Sequence, residues 1–246
     1  MYVEIVDVKP FMSFFDLIYN SATTVELKFD PEKLTMSLLN KGNVCFYNAE
    51  YTKDFFNDYQ VEGLESVSVD VEDFYKILKS ANKNDLISLE SDGIHLVCKF
   101  EHDGNRRVFE LSMIDEDYNS AVPPAIDYEG EFSIALDDLK QPCIDLSKIV
   151  NTDKFKMIAQ PNKLFIIAPT DTMTNYSQEI DIDYNYDYSC TVNIQYVADL
   201  QKLSKINKEV VMMIGDDLPL SWNITSVDDT VKISGLVAPI IENEEE

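Results

Sequence analysis

Short runs in which apolar and polar residues alternate dominate the chain and predict β-strands. In the first half these runs are rich in β-branched and aromatic residues and read MYVEIV, TTVELKF, KLTMSLL, NVCFYNAE and SVSVDV. Three more runs follow, separated by Asp92-Gly93 and Asp103-Gly104, and Asp-Gly between two such runs is typical of a hairpin turn. The pattern therefore predicts antiparallel sheets.

Two stretches of the first half, residues 9–20 and 70–86, have the period of a helix instead. At about 100° per residue, one face of the second stretch is apolar and consists of Val71, Phe74, Ile77, Leu78 and Ala81. Another face carries Lys76, Lys79 and Lys83. We expect the apolar face to pack on a sheet and the lysine face to point outward. On a single helix, an ordinary solvated face would be the simpler explanation of these lysines.

The lysine-bearing stretch recurs in the second half, where residues 199–220 resemble residues 73–96. At an offset of 126, Asp73 matches Asp199, Lys76 matches Lys202 and Lys79 matches Lys205, and a small length difference then matches Lys83 to Lys208. Such self-similarity indicates a duplicated unit. With further helices at about 138–150 and 194–207, each half reads β-α-β-β-β-α-β-β-β. The sequence predicts an α+β fold of two similar domains, each with antiparallel sheets and two helices on one face.

A polar segment, DEDYNSAVPPAIDYEGE at residues 115–131, separates the two halves. Its acids, its Pro-Pro pair and its glycine are typical of an extended connection on the surface. We therefore predict an N-terminal domain at residues 1–115, a connecting loop at 116–131 and a C-terminal domain at 132–246.

Charge is unevenly distributed along the chain. The sequence has 45 acidic and 20 basic residues, a net charge of −25, yet nine of the basic residues fall on the four predicted helices. They are Lys9, Lys76, Lys79, Lys83, Lys140, Lys148, Lys202, Lys205 and Lys208. Cations gathered on one surface of an acidic protein suggest a regular polyanion such as duplex DNA. The helices lack the Arg, Asn and Gln sets that read base edges, so we expect sequence-independent phosphate contacts.

No enzymatic or metal-dependent chemistry is predicted. The two histidines, His95 and His102, lack metal spacing, and the segment DIDYNYDYS at 181–189 lacks the glycine and the final glutamate of a calcium loop. No P-loop, GxSxG or GxGxxG motif occurs. The four cysteines contain no CxxC pair and are expected to be reduced core thiols. Without an apolar run long enough for a membrane span or a secretion signal, we expect a soluble intracellular protein with no cofactor.

Four segments resemble the DNA sliding clamps of the proliferating cell nuclear antigen family from archaea and eukaryotes. They are YKILKSANKNDLISLE (75–90), DLSKIV (145–150), DLPLSW (217–222) and the closing GLVAPIIENEEE (235–246). The four segments occur in the same order as in the family, and the resemblance covers the whole chain. The resemblance implies a homotrimeric ring with sheets outside and helices inside, the nine lysines facing DNA threaded through the hole. It implies a processivity factor for replication and repair, located in the cytoplasm of an archaeon or the nucleus of a eukaryote.

The resemblance also implies two protein-binding surfaces. A pocket for short peptide motifs of DNA polymerase, flap nuclease, ligase and clamp loader would be formed by Leu39, Val44, Phe46, Val122, Pro123, Ile126, Leu218, Pro219, Leu236, Val237, Ala238 and Pro239. Two edge strands, at 106–114 and 174–182, would join the subunits through Arg106, Phe109, Leu111, Tyr176, Gln178 and Ile180.

The chain departs from the family pattern at several positions. The first helix has Ser13, Phe14, Phe15 and Asp16 where bases are common, which leaves open a partial exposure of the two phenylalanines. Pro142 and Ile144 lie in the third helix, where the proline is expected to kink it, and Asn43 replaces a common histidine. Two alternatives remain: one subunit of a heterotrimeric ring, or an acidic protein-binding adaptor that does not encircle DNA by itself.

Overall fold

The computed structural model of the protein describes residues 1–5, 7–114, 122–169 and 172–241. Its chain divides into two compact units. Unit 1 comprises Met1–Val122 and Thr225–Ile233, and unit 2 comprises Pro123–Ile224 and Ser234–Glu246. Each unit combines antiparallel sheets with two helices, so the α+β fold of two similar domains is confirmed.

Unit 1 contains two antiparallel sheets and two α-helices. Its strands are β1 (Tyr2–Ile5), β2 (Thr24–Phe29), β3 (Lys33–Leu39), β4 (Cys45–Thr52), β5 (Asp58–Gln60), β6 (Glu65–Asp70), β7 (Leu86–Ser91), β8 (His95–His102) and β9 (Asn105–Ser112). Its helices are α1 (Val8–Ile18) and α2 (Val71–Lys79), and a 3-10 turn spans Lys53–Phe55. One sheet has the order β5-β1-β7-β8-β9, and the strands of the other follow the order β4-β3-β2-β6.

The β8–β9 hairpin shows how sequence fixes register in unit 1. Asp103 and Gly104 both have positive φ, 47° and 78°, as a two-residue type I′ turn requires. The turn pairs His102 with Asn105, and the pairing continues to His95 opposite Ser112. The hairpin predicted from the Asp-Gly pair is confirmed.

Aromatic side chains of both helices form the core of unit 1. The Phe15 ring lies 5.3 Å from that of Phe11 and 5.0 Å from that of Phe74, which joins α1 to α2. A partial exposure of Phe14 and Phe15 is wrong, because both side chains are fully buried. The reason is that apolar residues occupy several faces of α1, and a helix that is apolar on most sides is buried on most sides.

Unit 2 repeats this arrangement with fewer strands. Its strands are β10 (Phe132–Ala135), β11 (Lys154–Gln160), β12 (Lys163–Ile167), β13 (Ser177–Asp181), β14 (Tyr188–Asn193), β15 (Glu209–Met213), β16 (Leu220–Thr225) and β17 (Val231–Val237). The last residue of β16 and the first three of β17 fall within unit 1. The orders are β13-β12-β11-β14 and β10-β15-β16-β17. Its helices are α3 (Leu136–Asp145), continued by a π-helical turn at Leu146–Val150, and α4 (Ile194–Ala198), continued by a 3-10 turn at Asp199–Leu203.

Helix α3 accommodates a proline in its interior. Pro142 is buried there and has no N–H to donate to the preceding turn. The helix nevertheless continues to Asp145, and the π-helical turn that follows ends at Asn151 in the left-handed conformation. Within the described ranges, no helix is both long enough and apolar enough to cross a membrane.

The two units correspond element by element, but not at the offset expected from the lysines. β1 and β10 begin at Tyr2 and Phe132, 130 residues apart, and β2 and β11 keep the same spacing. After the middle of each unit, the offset falls to 123, since α2 and α4 begin at Val71 and Ile194.

Two expectations about the repeat are therefore wrong. The predicted offset of 126 is three residues, about one helical turn, longer than the offset of 123 between α2 and α4. Residues three apart lie on the same face of a helix, so the wrong alignment still matched lysines with lysines. The count of three strands between the helices is also wrong, because the described residues form five strands there in unit 1 and four in unit 2.

Candidate nucleic-acid interface and docking surfaces

Helix α2 is built as an amphipathic element with a defined start. The Asp70 carboxylate accepts a hydrogen bond from the Asp73 N–H at 2.9 Å and so satisfies one free donor of the first turn. Val71, Phe74 and Leu78 are buried, as the apolar face predicted. Lys76 and Lys79 are exposed and lie away from this buried face. The helix thus presents cations to solvent because its other side packs in the core.

Neighbouring side chains hold the α2 lysines in place. The Lys76 Nζ lies 2.5 Å from Glu72 Oε1 and 3.8 Å from Asp73 Oδ1, and the hydrogen bond with Glu72 raises the pKa of Lys76. The Lys79 Nζ stands 5.3 Å from the centre of the Tyr75 ring. Two acids therefore offset part of the charge of Lys76, which the sequence pattern alone did not indicate.

Tyr75 also ties α2 to α1. Its hydroxyl donates to Asp16 Oδ1 at 2.5 Å, and this hydrogen bond raises the pKa of Tyr75 to about 12. Its ring lies 4.7 Å from that of Tyr19. Asp16, which departs from the basic residue common in the family, thus has a structural role between the two helices.

In unit 2, lysines occur on α3 and on the irregular backbone that follows each helix. Lys140 is exposed on α3, and Lys148 is exposed on the π-helical turn. Lys202 lies on the 3-10 turn, half-buried, with its Nζ 2.9 Å from Asp199 Oδ1. All nine predicted DNA-facing lysines lie in the described residues, and every one except Lys202 is exposed.

Three of these lysines do not lie on helices, contrary to expectation. Helix α2 ends at Lys79, where the Ser80 hydroxyl bonds to the Ile77 carbonyl, so Lys83 lies in the following loop. Lys205 and Lys208 follow the 3-10 turn that ends at Leu203. At the offset of 123, Lys79 corresponds to Lys202, whereas Lys76 corresponds to Asp199. Unit 2 therefore carries its positive charge later along the chain than unit 1.

The residues of the predicted peptide pocket lie in both units, and each group has its own environment. In unit 1, Leu39 and Val44 are 45% and 40% exposed, Phe46 is buried, and Val122 is exposed. In unit 2, Val237 is buried, Pro123 and Ala238 are exposed, and the remaining residues are half-buried, namely Ile126, Leu218, Pro219, Leu236 and Pro239.

One contact organises the unit 2 group. The Tyr128 hydroxyl donates to the Pro219 carbonyl at 2.6 Å, which fixes the connecting segment beside the loop before β16. Burial raises the pKa of Tyr128 to about 12, so the donor stays protonated near neutral pH. A single tyrosine in a polar segment carries no signal in the sequence that would have singled it out.

The two predicted interface strands lie at sheet ends. β9 is the outermost strand of its sheet in unit 1, and β13 is the outermost strand of its sheet in unit 2. Arg106 is exposed, and Phe109, Leu111, Tyr176, Gln178 and Ile180 are half-buried. Val108 on β9, and Ile149 and Met173 in unit 2, are large apolar side chains that remain exposed. Their contact with another subunit remains a prediction.

Arg107 on β9 has a role that the sequence pattern did not indicate. Its Nη2 lies 2.5 Å from Asp85 Oδ2, its Nη1 donates to the Ser80 carbonyl at 3.0 Å, and its guanidinium lies 5.0 Å from the Phe100 ring centre. Asp85 is almost fully buried. Arg107 therefore anchors the outer strand to the loop that ends α2 and carries Lys83.

Both histidines have acidic neighbours. His95 Nδ1 lies 3.2 Å from Asp92, and His102 Nε2 lies 3.2 Å from Asp103. In the described part of the chain, no group of three or more His, Cys, Asp or Glu side chains could hold a metal ion. All four cysteines are free and buried, as expected, and burial raises the pKa of Cys98, Cys143 and Cys190 to about 12.

The arrangement described above, with sheets, paired helices and outward lysines in each unit, is that of a DNA clamp. Residues 8–121 match the family model described as proliferating cell nuclear antigen, N-terminal domain. The DNA polymerase sliding clamp of Methanothermobacter thermautotrophicus is 28% identical over 236 residues, 94% of each chain.

Solved structures agree with these sequence matches. A PCNA2–PCNA3 complex from Sulfolobus tokodaii has a TM-score of 0.87 at 21% identity, with 98% of this chain and 100% of that chain covered. PCNA from Thermococcus kodakaraensis has a TM-score of 0.86 at 21% identity, with 97% and 99% covered. Along its whole length the chain is therefore similar to the sliding clamps of the proliferating cell nuclear antigen family, and residues 8–121 match that family's N-terminal domain.

Proposed function

We propose that this protein is a sliding clamp that encircles duplex DNA and acts as a processivity factor for a DNA polymerase. The observation that carries the proposal is the set of exposed lysines on and after the helices of both units, in a chain with a net charge of −25. Phosphate contacts made by lysines exchange readily with counterions, which allows a ring to slide without a preferred sequence. The similarity to DNA polymerase sliding clamps over 94% of the chain supports the same function.

The proposed assembly is a homotrimeric ring, with domains at residues 1–115 and 132–246 joined by the loop at 116–131. Three large apolar side chains remain exposed: Val108 on β9, Ile149 on the π-helical turn after α3, and Met173 in the segment before β13. They support pairing of β9 with β13 between subunits. A heterotrimer is the second candidate, since one similar structure is a complex of two different clamp chains.

Partners would include DNA polymerase, flap nuclease, ligase and a clamp loader, docked through short peptide motifs with apolar and aromatic anchors. Two observations support this docking role. Leu39 and Val44 are exposed in unit 1, and in unit 2 the hydrogen bond from Tyr128 to the Pro219 carbonyl positions the connecting segment. The protein would have no catalytic activity of its own, and the archaeal relatives support a cytoplasmic location.

Retention on circular DNA tests encirclement directly. The clamp is loaded by its clamp loader onto a nicked circular plasmid, and the fraction that stays bound is measured by gel filtration before and after the plasmid is linearised. We expect wild-type protein to remain on the circle and to leave linear DNA through its ends. A variant with Ala at Lys76, Lys79, Lys202 and Lys205 should be retained less well while its mass in solution is unchanged.

The outcomes separate the candidates. Equal retention on circular and linear DNA would rule out a topological link, and an adaptor would bind docking peptides without staying on the circle. Equal retention of the lysine variant and wild type would refute the assignment of these lysines to the DNA-facing surface.

Peptide docking is tested separately. The double variant Leu39→Ala, Val44→Ala should weaken binding of a docking peptide, whereas the matched control Leu64→Ala, at a residue 76% exposed, should not.

A further inference from the structure

Three tyrosines at alternate positions of unit 2 form a connected row, here named the tyrosine ladder: Tyr184, Tyr186 and Tyr188. The rings of Tyr184 and Tyr186 are 5.6 Å apart, and those of Tyr186 and Tyr188 are 6.4 Å apart and nearly parallel, at 28°. Phe132 extends the row below Tyr184 at 5.4 Å. Alternate residues of extended backbone point to the same side, which explains why the three rings meet.

The connecting segment fixes the ladder from below. A Cβ on Gly130 would lie 2.9 Å from Tyr186 Cε2 and 3.0 Å from Tyr184 Cε2, so a larger residue at this position would displace these two rings. The Tyr188 hydroxyl donates to Glu129 Oε2 at 2.6 Å. The ladder is thus held at two consecutive residues of another segment, and it does not depend on its own loop alone.

Tyr186 is the most exposed residue of the ladder. Its side chain is 41% exposed, whereas Tyr184 is buried and Tyr188 is half-buried. A large aromatic ring held in place on a surface offers contact area with little conformational entropy left to lose on binding. The ladder therefore has the physical properties of a preformed contact.

The surroundings of the ladder are acidic. The two segments that form it, residues 127–131 and 181–188, contain no lysine or arginine and carry the acids Asp127, Glu129, Glu131, Asp181, Asp183 and Asp187. Of these, Asp181 is paired with Lys163 from a neighbouring strand, at 2.6 Å. Phosphates and acidic peptides would be repelled here, whereas a cation is attracted both by the carboxylates and by the face of an aromatic ring. A guanidinium group fits best, because it is planar and stacks on aromatic rings.

We propose that the tyrosine ladder and its acidic flanks are a docking site for an arginine-bearing segment of a partner protein. The site goes beyond the proposed clamp function and shares no residue with the predicted peptide pocket. A guanidinium would stack on Tyr186, and Asp183 and Asp187, both exposed, would contact further basic side chains. A clamp partner could then bind through an apolar motif and a basic segment at once, which raises its overall affinity.

The test measures binding of a labelled hexa-arginine peptide by fluorescence anisotropy at about 0.15 M salt, where long-range surface charge is largely screened. Tyr186→Ala should weaken binding about fivefold, as loss of an exposed cation–π contact predicts. Tyr186→Phe keeps the aromatic face and should bind like wild type. Gly130→Ala, which displaces the rings of Tyr184 and Tyr186, should weaken binding as well.

A charge-matched pair distinguishes the site from diffuse attraction. Asp183→Asn should weaken binding more than Asp54→Asn, which removes the same charge at an exposed position of unit 1. The proposal is overturned if Tyr186→Ala binds like wild type, or if the two Asp→Asn variants lose affinity equally. Retention of Tyr186→Ala on circular DNA should be unchanged, so failure of this proposal and failure of the clamp function are distinguishable.

Discussion

At the scale of single residues, the contribution of an ion pair to the stability of the fold depends on whether the acidic partner is buried or exposed. Arg106 and Arg107 are neighbours on β9 and each has an acidic partner. The Asp85 partner of Arg107 is 3% exposed, whereas Glu101, the partner of Arg106 at 3.3 Å, is 54% exposed. An exposed ion pair contributes little to stability, and loss of one partner of a buried pair leaves a polar group unsatisfied.

We predict that Asp85→Asn lowers the free energy of unfolding by about 1–3 kcal/mol, because Arg107 and the Asn82 N–H lose a charged acceptor. Glu101→Gln, the matched change at the exposed pair, should cost less than about 1 kcal/mol. Urea denaturation of both variants measures the difference. Equal losses would show that the Asp85 contacts do not act as a buried pair.

The same carboxylate predicts a pH dependence. Burial tends to raise the pKa of Asp85, but hydrogen bonds from Asn82 and Arg107 outweigh it and hold the pKa below its ordinary value. A carboxyl group with a lowered folded-state pKa stabilises the protein fully above the unfolded value of about 4. The stabilisation by Asp85 is lost as the pH falls through the folded-state pKa. The difference in free energy of unfolding between wild type and Asp85→Asn should therefore close only below about pH 4.

At the scale of elements, the sequence predicted strands and hairpins better than helix ends. Strand alternation and Asp-Gly turns are local, and they placed β8, β9 and the turn between them. Helix ends depend on other contacts. Helix α2 ends at Lys79, where the Ser80 hydroxyl donates to the Ile77 carbonyl and the Ser80 carbonyl accepts from Arg107; in the loop that follows, the Asn82 N–H donates to the Asp85 carboxylate. The lysine periodicity continues past that end, so Lys83 was assigned to the helix although it lies in a loop.

The candidate site shows the same limit. The sequence correctly predicted that the lysines are exposed. A charged side chain avoids the core whether its backbone lies in a helix or in a loop. The pairing of Lys76 with Glu72, and the anchoring of Arg107, depend on side-chain positions that no periodicity encodes. The one-turn slip between 126 and 123 has the same cause, since helical periodicity cannot distinguish registers that differ by one turn.

The β8–β9 turn supplies a prediction at this scale. Gly104 has φ of +78° with no atom within 4 Å of a Cβ, so Gly104→Ala has space but must adopt a left-handed backbone. We expect a loss of about 1–2 kcal/mol in the free energy of unfolding. Gly63→Ala is the matched control, because Gly63 also has open space and lies outside the positive-φ region. It should be neutral or slightly stabilising, and a loss as large as that of Gly104→Ala would contradict the backbone explanation.

At the scale of the whole molecule, the outer strands carry opposite charges. β9 bears Arg106, Arg107 and one acid, Glu110, for a net positive charge, whereas β13 bears Glu179 and Asp181, which also contact Lys163. Pairing β9 of one copy with β13 of the next would bring unlike charges together, and opposite charges across paired strands are stabilising. Because both strands belong to the same chain, we predict that identical subunits can close a ring.

We predict that light scattering gives three times the mass of one chain for wild type at micromolar concentration, and that Arg106→Glu shifts the protein toward the monomer. The variant would place a glutamate near Glu179 and Asp181, where like charges repel. Lys53→Glu makes the same change of charge on an exposed residue of the 3-10 turn and should stay trimeric. Adding Asp181→Arg to Arg106→Glu should restore the trimer, because it re-forms an opposite pair with the strands exchanged. A wild-type monomer that becomes a ring only when a related chain is added would instead establish the heterotrimer.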